Sequence, residues 1–199
     1  MVPSAYKLAF MKRRSFPKFP LTAAASASTD RIAEGEEPSR EGAGEGFLVP
    51  AQKNRYSQEP LVMGGQVDLK ISGRDTNGAL CVYDAIRLSK GGPAVHRHHA
   101  QDEWFYVIRG EFIVRVGDVS FTLHPGDSAF APRKVPHAYA MISEGEGQIL
   151  LLYQPAGSME DFFLQLSKMG KETPENQQTA LKRLFEEHGM EVIGPPLKF

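Results

Sequence analysis

His96-Arg97-His98, then four residues to Glu103 and six more to Gly110, is the stretch on which the reading of this chain turns. Residues two apart in an extended segment point to the same side, so His96 and His98 can aim their imidazoles at one place while Arg97 faces away. Glu103 opens the next β-rich run after a short loop through His99, Gln101 and Asp102, and its carboxylate can reach back to the same place. Further on, Pro125-Gly126-Asp127 makes a turn and a strand follows through Phe130. Pro132-Arg133-Lys134-Val135-Pro136-His137 then delivers a third imidazole, and the proline before His137 keeps Val135 extended. A lone histidine is usually structural and a lone strand-end glutamate usually solvated, but the joint spacing of these four residues points to metal binding.

Outward from this core, apolar runs of strand length alternate with turn signals between about Val67 and Gln154. The signals include Asn77-Gly78, Gly91-Gly92-Pro93, Gly117-Asp118 and Glu144-Gly145, a spacing that predicts an all-β barrel or sandwich. Trp104–Ile108 and Phe112–Val116, flanking Arg109-Gly110-Glu111, read as a hairpin. Helical periodicity appears only later. Ser158 precedes Glu160 and Asp161, and Phe162, Phe163, Leu166 and Met169 recur at helical spacing until Gly170. Thr173 or Pro174 starts a second helix with an apolar stripe of Leu181, Leu184 and Phe185, ending near Gly189. Both stripes are expected to pack against the barrel or a dimer partner. No internal repeat is visible, so one barrel is expected rather than a duplicated pair.

The two strings, His96 through Gly110 and Pro125 through His137, resemble the two motifs of the cupin superfamily. The resemblance implies a small jelly-roll (double-stranded β-helix) barrel with C-terminal helices, and it makes His96, His98, Glu103 and His137 the metal ligands. Two positions depart from the family pattern. The glycine usually found shortly after the second motif's first proline is Lys134, and the frequent asparagine four residues past the last histidine is Met141. Neither departure removes a ligand. His137, Tyr139 and Met141 share parity on one strand, and Phe105 shares the face of Glu103, so Phe105, Tyr139 and Met141 are expected to line a partly apolar substrate pocket. His99 breaks the parity of the histidine pair and is expected outside the cluster, as are His124 and His188. Asp102, Glu111 and Asp127 read as turn or surface acids, with Asp127 also able to brace a ligand.

Three neutral imidazoles and a carboxylate suit one divalent iron, manganese, nickel, cobalt or copper ion per chain and leave coordination positions open. Openness is catalytic in style, whereas structural zinc sites are closed and rich in cysteine. The runs Gln101–Val107 and Phe130–Arg133, with Pro155-Ala156-Gly157, resemble single-domain cupins likened to quercetin 2,3-dioxygenase. That resemblance implies a dioxygenase acting on a small aromatic or enolisable substrate, with Glu103 as the catalytic proton acceptor and dioxygen as co-substrate. Two other readings stand beside it: a metal-containing small-molecule-binding protein without turnover, since the fold fixes no chemistry, and a sugar isomerase, which calls for a more polar cavity. A homodimer is usual for single-domain cupins. The run Ile149–Tyr153 reads equally as an interface strand and as a buried core strand.

The chain has 199 residues, 41% of them hydrophobic, which is room for one principal domain. A formal net charge of -1 gives no broad basic field for nucleic acid. No apolar run approaches the ~20 residues needed to span a bilayer. Cys81, the single cysteine, sits in an apolar stretch and is expected to pack as a small hydrophobe. No acid precedes Asp30, while Lys12-Arg13-Arg14-Ser15-Phe16-Pro17-Lys18 resembles a twin-arginine export signal and Ala25-Ser26-Ala27 offers a cleavage site. The apolar segment between them is short, and translation from Met11 is an alternative start. The organisation expected is a signal over 1–29, a solvated linker over 30–46, a barrel over 47–157 and a helical extension over 158–199. The protein is exported if the signal works, and cytoplasmic otherwise.

Overall fold

Alternation of buried and half-buried residues along short β-rich runs builds the frame. In a computed structural model, the described residues are 45–56, 61–62, 65–169 and 174–199, with 61–62 and 174–176 described by backbone alone. The expected signal over 1–29 and nearly all of the expected linker over 30–46 lie outside them. They form two antiparallel sheets and two helices. No described helix is long and apolar enough to cross a membrane.

The chain runs through β1 (Leu61–Val62), β2 (Gly65–Ile71), β3 (Cys81–Arg87), β4 (Ala94–His98) and β5 (Asp102–Arg109). It continues through β6 (Phe112–Val116), β7 (Val119–Leu123), β8 (Ser128–Ala131), β9 (His137–Met141) and β10 (Gly147–Gln154). Helices α1 (Met159–Lys168) and α2 (Pro174–Glu187) follow, and the last strand is β11 (Met190–Pro196). One sheet has the order β1-β2-β3-β10-β5-β8, the other β11-β4-β9-β6-β7. Their inward faces share one core: Tyr83, Phe105, Val107, Ile149 and Leu151 from the first meet Phe112, Val114, Tyr139 and Met141 from the second. This is the jelly-roll arrangement the sequence predicts, with both expected helices.

The expected hairpin between the runs around Gly110 does not form. Strand β5 pairs with β10 and β8, whereas β6 pairs with β7 and β9, so Arg109-Gly110-Glu111 carries the chain from one sheet to the other. Gly110 has φ +79°, and a Cβ there would stand 2.9 Å from Ser143 Oγ and 3.1 Å from Gly147 Cα. Only glycine turns this corner without strain. The hairpin lies one step later, where β6 and β7 pair across Gly117-Asp118 from Val116 to Val119.

The C-terminal segment is also not wholly helical. Met190–Pro196 forms β11 and pairs with β4, setting Met190 opposite His98 and Val192 opposite His96. Gly194, Pro195 and Pro196 are tolerated because β11 is an edge strand with register shifts along it. Strand β10 is central: Ile149, Leu151 and Tyr153 face the core, and Leu150 and Leu152 are half-buried on the outer side. Cys81 is fully buried, and burial pushes its thiol up to about 12. Helix α1 is tied to the barrel by Glu160, which accepts from the Ser72 hydroxyl at 2.8 Å and from the Gly73 N–H at 2.7 Å.

Candidate metal centre

Strand alternation puts His96 and His98 on the inward side of β4, with Arg97 turned out to pair with Glu191. Glu103 comes from the start of β5, and His137 begins β9 directly opposite His96 in the ladder. One ligand-type atom from each of His96, His98, Glu103 and His137 lies within 4.8 Å of all the others. Their exposures are 7%, 0%, 2% and 0%.

Hydrogen bonding fixes how the rings present themselves. The Nδ1 of His96 is 2.8 Å from the Ala94 carbonyl, and that of His137 is 2.8 Å from the Val135 carbonyl. A carbonyl only accepts, so each Nδ1 carries the hydrogen and each neutral ring turns an Nε2 lone pair inward. His137 Nε2 meets Glu103 Oε2 at 2.9 Å, a contact that needs either a proton on that nitrogen or a cation between the two atoms. His98 Nε2 stands 3.4 Å from that same oxygen, yet neither ring nitrogen of His98 makes a well-formed hydrogen bond although both are buried. Buried polar atoms without partners are rare and costly. A cation at the cluster would meet one nitrogen of each ring and the Glu103 carboxylate, so the donor set fits a divalent metal.

Burial is the largest influence on each of these groups. It pushes His96 down to about 3, helped by the neighbouring His137, which keeps the ring neutral and its lone pair available. Burial alone would raise Glu103, but the adjoining His137 and His98 rings outweigh it and hold the carboxyl below the usual range. Burial also works against a charge on His137, yet the Glu103 carboxylate lifts it above its ordinary value. Tyr139 is raised to about 12 and Tyr153 well above 10.0, both chiefly by burial. The Tyr153 hydroxyl is hydrogen-bonded to Glu103, its cross-strand neighbour in the ladder.

The loop that delivers His137 is clamped on both sides. Asp102 accepts from the Arg133 amide at 2.8 Å and from its Nη2 at 2.7 Å, and these bonds hold the Asp102 carboxyl at about 2. The Lys134 N–H donates to the His98 carbonyl at 2.7 Å, linking the two histidine-bearing segments. Lys134 has φ 68°, a left-handed conformation, which explains why glycine is usual in the family at this place.

A cavity of about 240 Å³ adjoins the cluster, with His96, Glu103, Tyr139 and Tyr153 on the barrel side. Phe162, Phe163, Leu181 and Phe185 close it from the helices, and the Phe185 ring lies 5.2 Å from that of His96. Of the three expected pocket residues, only Tyr139 lines it. Phe105 and Met141 are 0% exposed and belong to the core: Phe105 packs behind His137 and Tyr139, and Met141 against Gly147. Both helical stripes, expected only to pack, form the opposite wall. Tyr153 lines the cavity as well, on the inward parity of Ile149 and Leu151 that the sequence carries without a motif to mark it. His99 is exposed, and His124 is exposed in the turn where Asp127 accepts the His124 N–H, so Asp127 braces no ligand. His188 is buried beside Gln165, its Nε2 3.0 Å from the amide nitrogen. A larger groove of about 770 Å³ between α2 and β11 does not include any of the four clustered residues.

Residues 86–153 match the family model of the cupin domain, and the segment holds all four clustered residues. With the two-sheet fold and both motifs in place around it, the segment 86–153 is a cupin domain. It is 28% identical over 67 residues to an uncharacterised protein of Methanocaldococcus jannaschii, covering 34% of this chain and 54% of that one. The chain thus spans about half the length of the curated relative it matches. Among solved structures, it is similar to TT1209 from Thermus thermophilus, with 30% identity, TM-score 0.38, and coverage of 40% of this chain and 75% of that chain. It is also similar to an RmlC-like cupin from Shewanella frigidimarina, with 26% identity, TM-score 0.44, and coverage of 61% and 98%.

Proposed function

We propose that this protein is a metal-dependent cupin oxidoreductase of the dioxygenase kind, acting on a small aromatic or enolisable substrate. One observation carries the reading: the buried three-histidine, one-glutamate donor set adjoins a cavity whose helix side is walled by aromatic and aliphatic side chains. Held by His96, His98, Glu103 and His137, a divalent iron, manganese, nickel, cobalt or copper ion would supply Lewis acidity and activation of dioxygen. Phe162, Phe163 and Phe185 stack against a planar substrate and exclude water. Tyr139, kept neutral by burial, donates a hydrogen bond from its hydroxyl to a substrate oxygen. Glu103 takes the substrate proton on its carboxylate, steadied by the Tyr153 hydroxyl. Acidic enols and phenols give up a proton to a carboxylate most readily. The apolar wall disfavours sugars, whose hydroxyls would be left without partners.

Oxygen uptake by protein reconstituted with each of the five metals, offered flavonols, 1,3-diketones and single-ring phenols, tests the proposal. The expected result is substrate-dependent uptake with one metal, lost in Glu103→Gln. Substrate-induced thermal stabilisation without uptake or product would replace this reading with that of a binding protein.

A further inference from the structure

The side of the six-stranded sheet that faces away from the core carries two rows of side chains running across four strands in register. The first row is Val82, Leu152, Trp104 and Phe130, from β3, β10, β5 and β8 in turn. The second, two residues along each strand, is Asp84, Leu150, Tyr106 and Ser128. Apart from Asp84 and Ser128, every member is aliphatic or aromatic, on a face that alternation leaves polar when water covers it. Phe130 is 56% exposed, and Ile108, two residues beyond Tyr106 on the same side, is 40% exposed. Val82, Leu150, Leu152, Trp104 and Tyr106 are half-buried. The Trp104 and Tyr106 rings stack on this outer face, 5.5 Å apart with 24° between their planes.

An interface of standard size takes roughly 800 Å² from each partner, a little over half of it apolar. With an aromatic side chain offering ~150–250 Å², the open parts of these residues amount to roughly 400 Å² of contiguous apolar surface. That is close to the apolar share such an interface needs.

The order within the rows identifies the occupant. A two-fold axis parallel to the strands, between β10 and β5, lays β5 over β10 and β8 over β3 of a second copy. Trp104 then meets Leu152 of the second copy, Phe130 meets its Val82, Tyr106 its Leu150, and Ser128 its Asp84. Each aromatic ring falls on an aliphatic side chain, and the Ser128 hydroxyl falls on the Asp84 carboxylate, to which it donates. Sheets packed face to face keep their strands within about 30° of one another, so both rows stay in contact. A foreign partner has no reason to match this order, whereas a second copy matches it twice, every contact being made in both directions.

We infer that this face joins two copies of the chain in a two-fold dimer, sheet against sheet. Strand β10 then serves both roles its sequence allows, with Ile149, Leu151 and Tyr153 in the core and Leu150 and Leu152 in the interface. Glu103 and Trp104 point to opposite sides of β5, so the dimer forms without touching the inward side that carries the metal ligands. The inference is independent of the reading under Proposed function.

The test is sedimentation equilibrium of the full chain at micromolar concentrations. Wild type is expected to be dimeric, and Phe130→Glu to weaken the dimer by more than about thirtyfold, the scale of a central interface residue. Phe121→Glu, at a side chain 45% exposed on β7 of the other sheet, should leave it unchanged. Register is read from Ser128, which is exposed and tolerates substitution: Ser128→Asp faces the Asp84 carboxylate and should weaken the dimer, while Ser128→Lys should tighten it. Circular dichroism confirms that each variant is folded. A wild type that stays monomeric at tens of micromolar overturns the inference, as does a dimer indifferent to Phe130→Glu or one that answers Ser128→Asp and Ser128→Lys alike. A monomer that binds phosphatidylcholine–phosphatidylglycerol vesicles through Phe130 also overturns it, by giving the face to a lipid surface.

Discussion

Nε2 of His137 lies 2.9 Å from Oε2 of Glu103 while Nδ1 of the same ring faces the Val135 carbonyl at 2.8 Å. With both nitrogens committed, the ring and the carboxylate need a cation between them, either a proton or a metal. Glu103→Gln removes the charge that draws that cation. Losing a neighbour that only orients a ligand costs roughly 10–100-fold in metal affinity, so losing a direct ligand should cost more than about a hundredfold. Competitive titration against a chelator of known affinity checks this, and an unchanged affinity would remove Glu103 from the donor set.

Lys134 occupies a left-handed conformation at φ 68°, which costs a residue with a Cβ roughly 1–2 kcal/mol. Lys134→Gly is expected to leave stability unchanged or to raise it by up to about 1 kcal/mol, after the greater freedom of unfolded glycine is offset. Lys134→Val should lower it by more than about 1 kcal/mol, since β-branched residues tolerate this region worst. Urea denaturation of the pair decides between strain and indifference at this corner.

Gly92 sits where a Cβ would be 1.8 Å from the Tyr139 carbonyl oxygen, a contact with backbone that no rotamer relieves. Gly92→Ala must push β9 away, at a cost above about 2 kcal/mol. Because Tyr139 and His137 share that strand, metal affinity should fall together with the melting temperature. A variant as stable as wild type would show that the two segments stand further apart than described.

Asp75 supplies an acid limb to stability. Burial would raise its carboxyl, but hydrogen bonds from Arg55, at 2.9 Å through Nη2, and from the Ser72 N–H bring it below its ordinary 3.8. A depressed folded value means that its contribution is complete above the ordinary value and fades as pH falls through the lower folded one. Between pH 5 and pH 2, wild type should lose more stability than Asp75→Asn. Parallel curves for the two proteins would show that the pair contributes nothing.

Phe185 closes the cavity beside His96 and is 4% exposed. Phe185→Ala should cost about 3–5 kcal/mol, as large-to-small changes of buried aromatic residues do. It should also enlarge the cavity enough to admit two-ring ligands, measured as affinity for naphthol relative to phenol. Unchanged selectivity would place the ligand away from α2.

The donor cluster was legible because its information is local. Period-two alternation puts His96 and His98 on one side, and Pro136 aims His137. Pairing partners are not local, and this is why the runs on either side of Gly110 look like a hairpin. Two alternating runs joined by a glycine turn read the same whether they join one sheet or cross between two. Strand β11 was hidden by Gly194, Pro195 and Pro196, which argue against a strand except at an edge, where it lies. Parity on β9 and β5 separates inward from outward but not core from cavity. Phe105 and Met141 therefore went to the core while Tyr139 reached the cavity. The aromatic wall from α1 and α2 depends on how the helices dock, and an amphipathic stripe says only that something covers it.

The most direct test of the metal centre is elemental analysis of protein purified without added metal, alongside the His96→Ala/His137→Ala double variant. About one equivalent of iron, manganese, nickel, cobalt or copper in wild type, and none in a folded double variant, is the predicted result. A folded wild type that neither carries a transition metal nor takes one up on reconstitution would contradict it.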